Sequence, residues 1–377
     1  MVAAPRPALV VFLGGLGDSP VEEMVAGACV AATLDTVEAA LAGGRFQGAV
    51  LVTDGSADLP HRPAGVAVDV DAGPFHFGCR LAETIGRHNL ERIVYVGGGG
   101  LPLLGADEFD HIADALAEDG VAVTNNYFSS DLVAFPAVAF ARIAPPDSDN
   151  RLARALSEEA GLAVRSLPRT VATQLDIDGP TDLAILALTG EGGPRLRDYL
   201  ATLDLDMDRY RRALPLLTDR RAQVTVAGRV GSHAWRYLEA ETACRVRLFA
   251  EERGMEADGR AREGKARSLL GFFLEQVGPQ RLMDLLAELG DAAFIDTRVL
   301  LAHFRIDAAR ADRFLSDLGR WQEISEPFLR DLTRAALQAP IPVLLGGHSL
   351  MSGGLMALNE FAWREHDRET EPRGRTG

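Results

Sequence analysis

The sequence predicts an α/β protein in two parts. A three-layer α/β/α domain spans residues 1–190, a mainly α-helical domain spans 191–365, and a disordered tail covers 366–377. Three observations carry this reading. Residues 8–188 alternate short β-rich runs with amphipathic helical stretches, the pattern of a largely parallel, doubly wound sheet. Two glycine-rich loops, GGLGDS at 14–19 and GGGGLPLL at 97–104, follow two of those runs. Beyond residue 190 the β-rich runs thin out and charged residues recur at helical spacing.

The predicted strands are 8–13, 48–53, 66–70, 92–96, 121–123 and 175–177. Between the first two, a segment ending at Gly43 and Gly44 spaces its apolar residues by three and four and closes on glycines, as a helix does. Residues 106–118 form a second amphipathic helix with Asp107 near its start. At 175–183, LDIDGPTDL runs from an apolar stretch into a Gly-Pro turn and a new helix. Read as a strand end, residues i and i+2 point the same way, so Asp176 and Asp178 face one site. Pro180 and Asp182 suit the first turn of the helix. Two carboxylates so placed are oxygen ligands for a hard cation such as Mg2+; the plain alternative is an acidic strand-to-helix turn.

In the second half, 232–252 reads as one long helix. Residues 280–289 carry a leucine stripe between Pro279 and Gly290. One further helix opens near Asp307 and stops at Gly319, and another opens at Ser325-Glu326-Pro327 and stops before Pro340. Arg245, Arg247, Arg253, Arg262, Lys265 and Arg267 concentrate positive charge here. Arg245 and Arg267 are candidates to clamp a phosphate, against the plain reading of a solvated basic face. Asp296-Thr297-Arg298, followed by His303, reads as a buried ion pair near a helix start. At 342–354 a β-run enters a glycine-rich loop where His348 and Ser352 are candidate donors to a ligand; a tight junction explains the loop equally well.

Composition narrows the partners. The 377 residues suffice for two domains. A formal charge of −15 argues against a sequence-independent nucleic-acid binder. Cys29, Cys79 and Cys244 form no CxxC pair, which fits a reduced cytoplasmic compartment and offers no zinc site. No window is read as reaching the ~18 apolar residues of a membrane span. Neither nucleic acid nor membrane is expected as a partner.

Five segments taken in order resemble a known family: VVFLGGLGDS, TLDTVEAALAGGRFQGAVLVTD, AGPFHFGCRLAETI, VYVGGGGLPLL and LDIDGPTDLAIL. Together they look like the nucleotidyltransferases of GT-A-type fold, nearest by pattern to the molybdenum cofactor guanylyltransferases, the 2-phospholactate guanylyltransferases and the methylerythritol cytidylyltransferases. The resemblance covers residues 8–190. It implies that Gly14, Gly15 and Gly17 line the base and phosphates of a nucleotide, with Gly99 and Gly100 in the second loop. It implies that Gly73, Pro74 and Gly78 frame the base, and that Asp176 and Asp178 help to bind Mg2+. The reaction implied is attack of a small phosphorylated acceptor on the α-phosphorus of a nucleoside triphosphate, releasing pyrophosphate.

Two departures stand out. Where the family's first loop continues with Arg and Lys, this chain has Asp18, Ser19, Pro20, Val21, Glu22 and Glu23. Where the family has a Gly-Asp-x-Pro turn, this chain reads Gly99-Gly100-Leu101-Pro102, with Gly100 in place of the metal-binding Asp. Asp131, in NNYFSSD, is the candidate replacement acid, with a helix cap or loop carboxylate as its plain reading. Arg165 and Arg169, or Arg245, Arg247 and Arg267 lent by the helical half, are the candidate cations. The reading put first is a divergent Mg2+-dependent nucleotidyltransferase whose helical half closes over the substrate or forms a homodimer. The second is a catalytically inactive sensor of a nucleotide or phosphorylated metabolite, and the third a glycosyltransferase using a nucleotide-sugar.

Overall fold

The computed structural model describes residues 5–15, 17, 19–56, 59, 64–71 and 73–370. The chain divides into two compact units, Met1–Ile177 with Glu191–Thr202, and Asp178–Gly190 with Leu203–Gly377.

The first unit begins β1 (Ala8–Leu13), α1 (Pro20–Ala42), β2 (Gly48–Thr53), β3 (Val66–Val70), α2 (Phe77–His88), β4 (Arg92–Gly97) and α3 (Ala106–Ala115). It continues with β5 (Val121–Thr124), β6 (Leu132–Pro136), α4 (Ala137–Phe140), α5 (Leu152–Glu158), β7 (Ala163–Ser166) and α6 (Val171–Gln174). Its strands form one sheet in the order β3-β2-β1-β4-β6-β5-β7. Only β6 runs antiparallel, against β4 and β5. Alternation along the buried strands sends side chains to opposite faces. Leu9, Val11, Val94 and Val96 pack with Val37 of α1 and Phe109 of α3. Val10, Ile93, Val133 and Phe135 pack with Leu81 of α2 and Leu152 of α5.

Helix α1 is capped by Ser19, whose hydroxyl accepts from the Glu22 N–H, and Pro20 opens it. By length and composition it is apolar enough to cross a membrane, contrary to the expectation from windows; 56% of its most apolar stretch is buried within the protein, as in an enclosed core helix.

The strand expected at 175–177 does not form: α6 ends at Gln174, and an irregular stretch leads to α7 (Pro180–Thr189). The i, i+2 alternation that paired Asp176 with Asp178 therefore does not apply. The division between the units falls between Ile177 and Asp178, so Asp176 is grouped with the first unit and Asp178 with the second. Helix α7 is apolar nearly all round, with Leu183, Ala184, Ile185 and Leu186 buried, and it packs within the second unit. The chain then returns to the first unit as α8 (Pro194–Leu200). There the buried carboxylate of Asp35 on α1 accepts from the Leu196 N–H at 2.9 Å, the Arg195 N–H at 3.2 Å and the Arg195 guanidinium. The Arg195 guanidinium also grips Glu38, and the Tyr199 hydroxyl donates to the Met24 carbonyl.

The second unit continues α9 (Asp208–Leu217), β8 (Gln223–Gly228), α10 (Ser232–Glu241), β9 (Arg245–Ala250), α11 (Leu269–Leu289), β10 (Ala292–Asp296), α12 (Thr297–Phe304), α13 (Arg310–Leu318), α14 (Pro327–Gln338), β11 (Val343–Gly346) and α15 (Leu355–Thr370). Its helices hold most of its residues, but they accompany a four-stranded, all-parallel sheet in the order β11-β10-β8-β9, which the sequence reading did not expect. The long helix expected at 232–252 ends at Glu241, and Arg245 and Arg247 lie on the edge strand β9. A break at Gly278 (φ 75°, ψ 167°) divides α11, so its second part does start at Pro279. Helix α15 continues through Thr370, so the tail expected from 366 is helical that far; 371–377 lie outside the described residues.

Replacing Asp35 with alanine removes a buried acceptor of two N–H groups and one guanidinium. We expect Asp35→Ala to lower stability by about 2–3 kcal/mol, read as a fall in the urea midpoint, whereas Glu38→Ala at the exposed side of the clamp should cost under about 1 kcal/mol.

Candidate functional site

In open α/β sheets ligands bind outside the carboxyl ends of the strands, where the winding reverses. In the first unit that point lies between β1 and β4, which pair in parallel with Phe12 opposite Gly97. The two glycine loops therefore leave adjacent strand ends, and the Gly98 N–H donates to the Phe12 carbonyl at 2.7 Å.

The second loop is occupied by its own structure. The Gly97 N–H donates to the Asp131 carbonyl, Gly99 to the Thr33 hydroxyl and Gly100 to the Gly97 carbonyl. Gly99 has φ 79°, and a Cβ there would stand 2.6 Å from the Cys29 sulfur, so the turn demands glycine to lie against α1. Gly78 likewise meets the 145–146 backbone and donates to the Pro146 carbonyl. Gly73 donates to Asp71, which also pairs with Arg80.

The first loop is lined by acids. The Gly15 N–H donates to the Asp54 carboxylate at 2.8 Å, and a Cβ at Gly17 would meet the Glu22 carboxylate at 2.6 Å. Asp18, the other acid of this loop, lies outside the described residues. The Ser56 hydroxyl, together with the Gly15 and Ser56 N–H groups, holds the Asp54 carboxyl below its usual range against the opposing effect of burial.

Beside these loops, at the end of β4, the buried Tyr95 hydroxyl donates to Asp149 at 3.0 Å. Burial pushes the Tyr95 phenol well above its usual value, and the negative charges of Asp149, Asp131 and Asp176 push it further. Asp131 is set by Asn125, whose amide donates to its carboxylate at 2.8 Å while the amide oxygen accepts from the Asp131 and Leu132 N–H groups. Asn125 thus braces both the carboxylate and the backbone of Asp131. Phe12 bridges outward from Tyr95 (ring centroids 5.4 Å apart) to Phe75 (6.1 Å), which is 68% exposed. Among the described residues, no three His, Cys, Asp or Glu side chains enclose a metal by themselves.

Sequence reading named Asp131 and Asp176 but not Asp54, Tyr95 or Asp149, which the structure places around the same loops. Tyr95 carried a faint signal, as a hydroxyl inside an otherwise apolar strand, RIVYVG. Arg165 pairs with Glu118 on the surface.

The second unit has its own strand ends. Its winding reverses between β8 and β10, where Gly228 (φ 145°) lies so close to Asp296 that a Cβ would stand 2.2 Å from the Asp296 Cβ. Asp296 is buried and paired with Arg229 at 2.6 Å. Burial alone would raise its carboxyl; the Arg229 guanidinium holds it below the usual range. Arg298 grips Asp317 through both nitrogens, at 2.6 and 2.7 Å. The expected ion pair at this helix start is therefore two pairs, with partners distant in sequence. Asp182 accepts from the Asp178 and Gly179 N–H groups. Burial, with Asp178 beside it, raises the Asp182 carboxyl well above its usual value. Burial and the Arg229 charge lower His348. The Ser352 hydroxyl donates to the His348 and Ser349 carbonyls. Arg267 donates to the Ala266 and His303 carbonyls, bracing the backbone, and Arg245 is exposed on β9.

No family model and no curated protein matches the sequence. Among solved structures, the chain is similar to one described as a nucleotide-diphospho-sugar transferase from Desulfovibrio desulfuricans G20, at 17% identity, a TM-score of 0.39, and coverage of 54% of this chain and 100% of that one. It is also similar to a cytidylyltransferase from Leptospira borgpetersenii, at 14% identity, a TM-score of 0.39, and coverage of 52% of this chain and 92% of that one.

Two outcomes follow from these charges. Were a phosphate to sit at the first loop, Asp54 would repel it, and Asp54→Asn would then tighten binding of that anion, measured by calorimetry, by about fivefold for one like charge removed in partly solvated surroundings; an unchanged affinity would show that no phosphate sits there. Asp182 binds its proton more tightly folded than unfolded, so it stabilises the protein below its unfolded value of about 4 and destabilises it progressively as pH rises toward the raised folded value. Asp182→Asn should remove that part of the fall, seen as a flatter profile of thermal midpoint against pH.

Proposed function

We propose that the first unit is a three-layer α/β/α, nucleotidyltransferase-like domain that binds a nucleoside triphosphate with Mg2+ and transfers the nucleotidyl group to a small phosphorylated acceptor. The observation that carries this reading is the Asp149 carboxylate hydrogen-bonded to the Tyr95 hydroxyl, on which the charges of Asp131 and Asp176 also act, beside the glycine loops at the winding reversal. A negative site of carboxylate oxygens suits Mg2+, which takes one or two carboxylates, keeps several waters and shares the substrate's phosphates. That also explains why the site does without an enclosing metal cage and without the family's loop cations. Bound there, the ion would neutralise phosphate charge that this loop otherwise repels.

The chain's own residues do the rest. Asp131 and Asp176 are the proposed metal ligands, and Asn125 fixes the angle of the first. Asp149, tied to Tyr95, keeps the phenol protonated, so its hydroxyl stays a donor. Phe75 offers an exposed ring for a base to stack on, held by Phe12. In the reaction an acceptor phosphate oxygen attacks the α-phosphorus, the α–β phosphoanhydride bond breaks, and pyrophosphate leaves.

One observation favours the sensor reading: the second loop's N–H groups already donate within the fold, so phosphates find few backbone donors there. The readings separate in one assay. A nucleoside triphosphate with Mg2+ at a hundred times its dissociation constant should add about 2.7 kcal/mol of stability, and pyrophosphate should appear when acceptor is added. Asp131→Asn and Asp176→Asn should weaken the Mg2+-dependent part about tenfold or more. Binding without pyrophosphate release selects the sensor; no thermal shift with any nucleotide rejects both.

A further inference from the structure

A second cavity lies wholly within the second unit. Residues 251–268 form a strap folded back on α12, with Met255 and Ala266 buried against Val299. The strap is pinned at Glu252, which takes a left-handed backbone (φ 52°). Its carboxylate accepts two bonds from the Arg260 guanidinium and one from the Arg267 N–H. Between the strap, α12 and the start of α13 is a cavity of about 700 Å³, within the 300–1,000 Å³ typical of small-molecule sites.

Its lining is rich in arginine, although the chain carries a net −15. Arg298 reaches it while gripping Asp317. Among the described residues, Arg262, Arg305 and Arg313 also line it, and none of the three forms an ion pair with a carboxylate. Neighbouring cations are otherwise satisfied: Arg260 holds Glu252 and Lys265 holds Glu263. Arg313 is half-buried, and burial first, then the charges of Arg298 and Arg310, lower its affinity for its proton against the opposing charges of Asp317 and Asp307. Three acids stand in the same lining: Glu263, held by Lys265, and Glu256 and Asp307 as acceptors.

We propose that this cavity binds a small phosphate-bearing molecule, its phosphate between Arg305 and Arg313 with Arg262 at the mouth, and its hydroxyls donating to Glu256 and Asp307. Guanidinium groups match phosphate oxygens two at a time, which a carboxylate-lined wall alone would not do. The site is separate from the carboxylates of the first unit and stands whether or not nucleotidyl transfer occurs there.

Arginine footprinting on the full chain tests it. Phenylglyoxal labelling is followed residue by residue by mass spectrometry, with pyrophosphate as the probe and citrate as the control. Pyrophosphate should slow labelling of Arg305 and Arg313 by about tenfold when it fills the cavity, while Arg221, 93% exposed, labels at an unchanged rate. The exposed position makes Arg305→Met tolerable to the fold, and this variant should raise the pyrophosphate concentration needed to protect Arg313 by roughly thirtyfold. Equal protection by citrate would show general attraction of anions and overturn the phosphate assignment. Unaltered labelling at Arg305 and Arg313, or unaltered protection of Arg313 in Arg305→Met, would overturn the site.

Discussion

The carboxylate of Asp35 decides how this chain is partitioned. A seven-residue helix such as α8 has no independent stability in water. It forms because Asp35, buried on α1 some 160 residues earlier, accepts its first N–H groups and the Arg195 guanidinium. That clamp returns 191–202 to the first unit after α7 has joined the second. The short segment 178–190 is thereby set between two stretches belonging to the other unit. An apolar helix with Leu183, Ile185 and Leu186 buried has no stable place as an exposed linker, so it must enter a core. Thr181 fixes which core, donating to the Leu345 carbonyl at the end of β11.

The same partition governs the acidic motif. LDIDGPTDL looks continuous, yet its two carboxylates act on different surroundings. Asp176 adds to the negative charge around Tyr95, whereas Asp178 acts on Asp182, Arg229 and His348. Asp182 answers by holding its proton, since a second buried negative charge so close to Asp178 and Asp317 would be costly.

What was legible in the sequence follows from how strands are buried. β1, β2 and β4 lie in the interior of the sheet, flanked on both sides, and read as unbroken apolar runs, which gave their places within a residue. β9 sits at a sheet edge and alternates Arg245 and Arg247 with apolar residues, a texture that also fits a helix face. β7 is short and largely exposed, with too few apolar residues to announce itself. In the candidate site, Asp131 was visible because it stands in a polar loop after a predicted strand. Asp149 was not, because nothing local to PPDSDN sets it apart; only the crossing of β4 and the 149–151 turn brings it to Tyr95. The glycine loops were found readily, but their N–H groups proved to serve the fold, which sequence alone could not distinguish from a phosphate cradle.

The two strand-end regions solve opposite electrostatic problems. In the second unit, Asp296 and Asp317 each face an arginine, and burial beside Asp178 raises the Asp182 carboxyl, so much of the negative charge at that edge is offset or disfavoured. In the first unit the named charges acting on Tyr95 are all negative, and Asp54 and Glu22 extend that sign to the first loop. A site of that sign gains most from a cation, and only with one in place does it become hospitable to phosphate. Among the described residues, Arg262, Arg305 and Arg313 line the cavity under the strap without an ion pair to a carboxylate. If the acidic edge recruits phosphate through a metal and the strap cavity recruits it directly, metal removal should abolish the first and spare the second. The chain would then hold two phosphate sites of different physical origin.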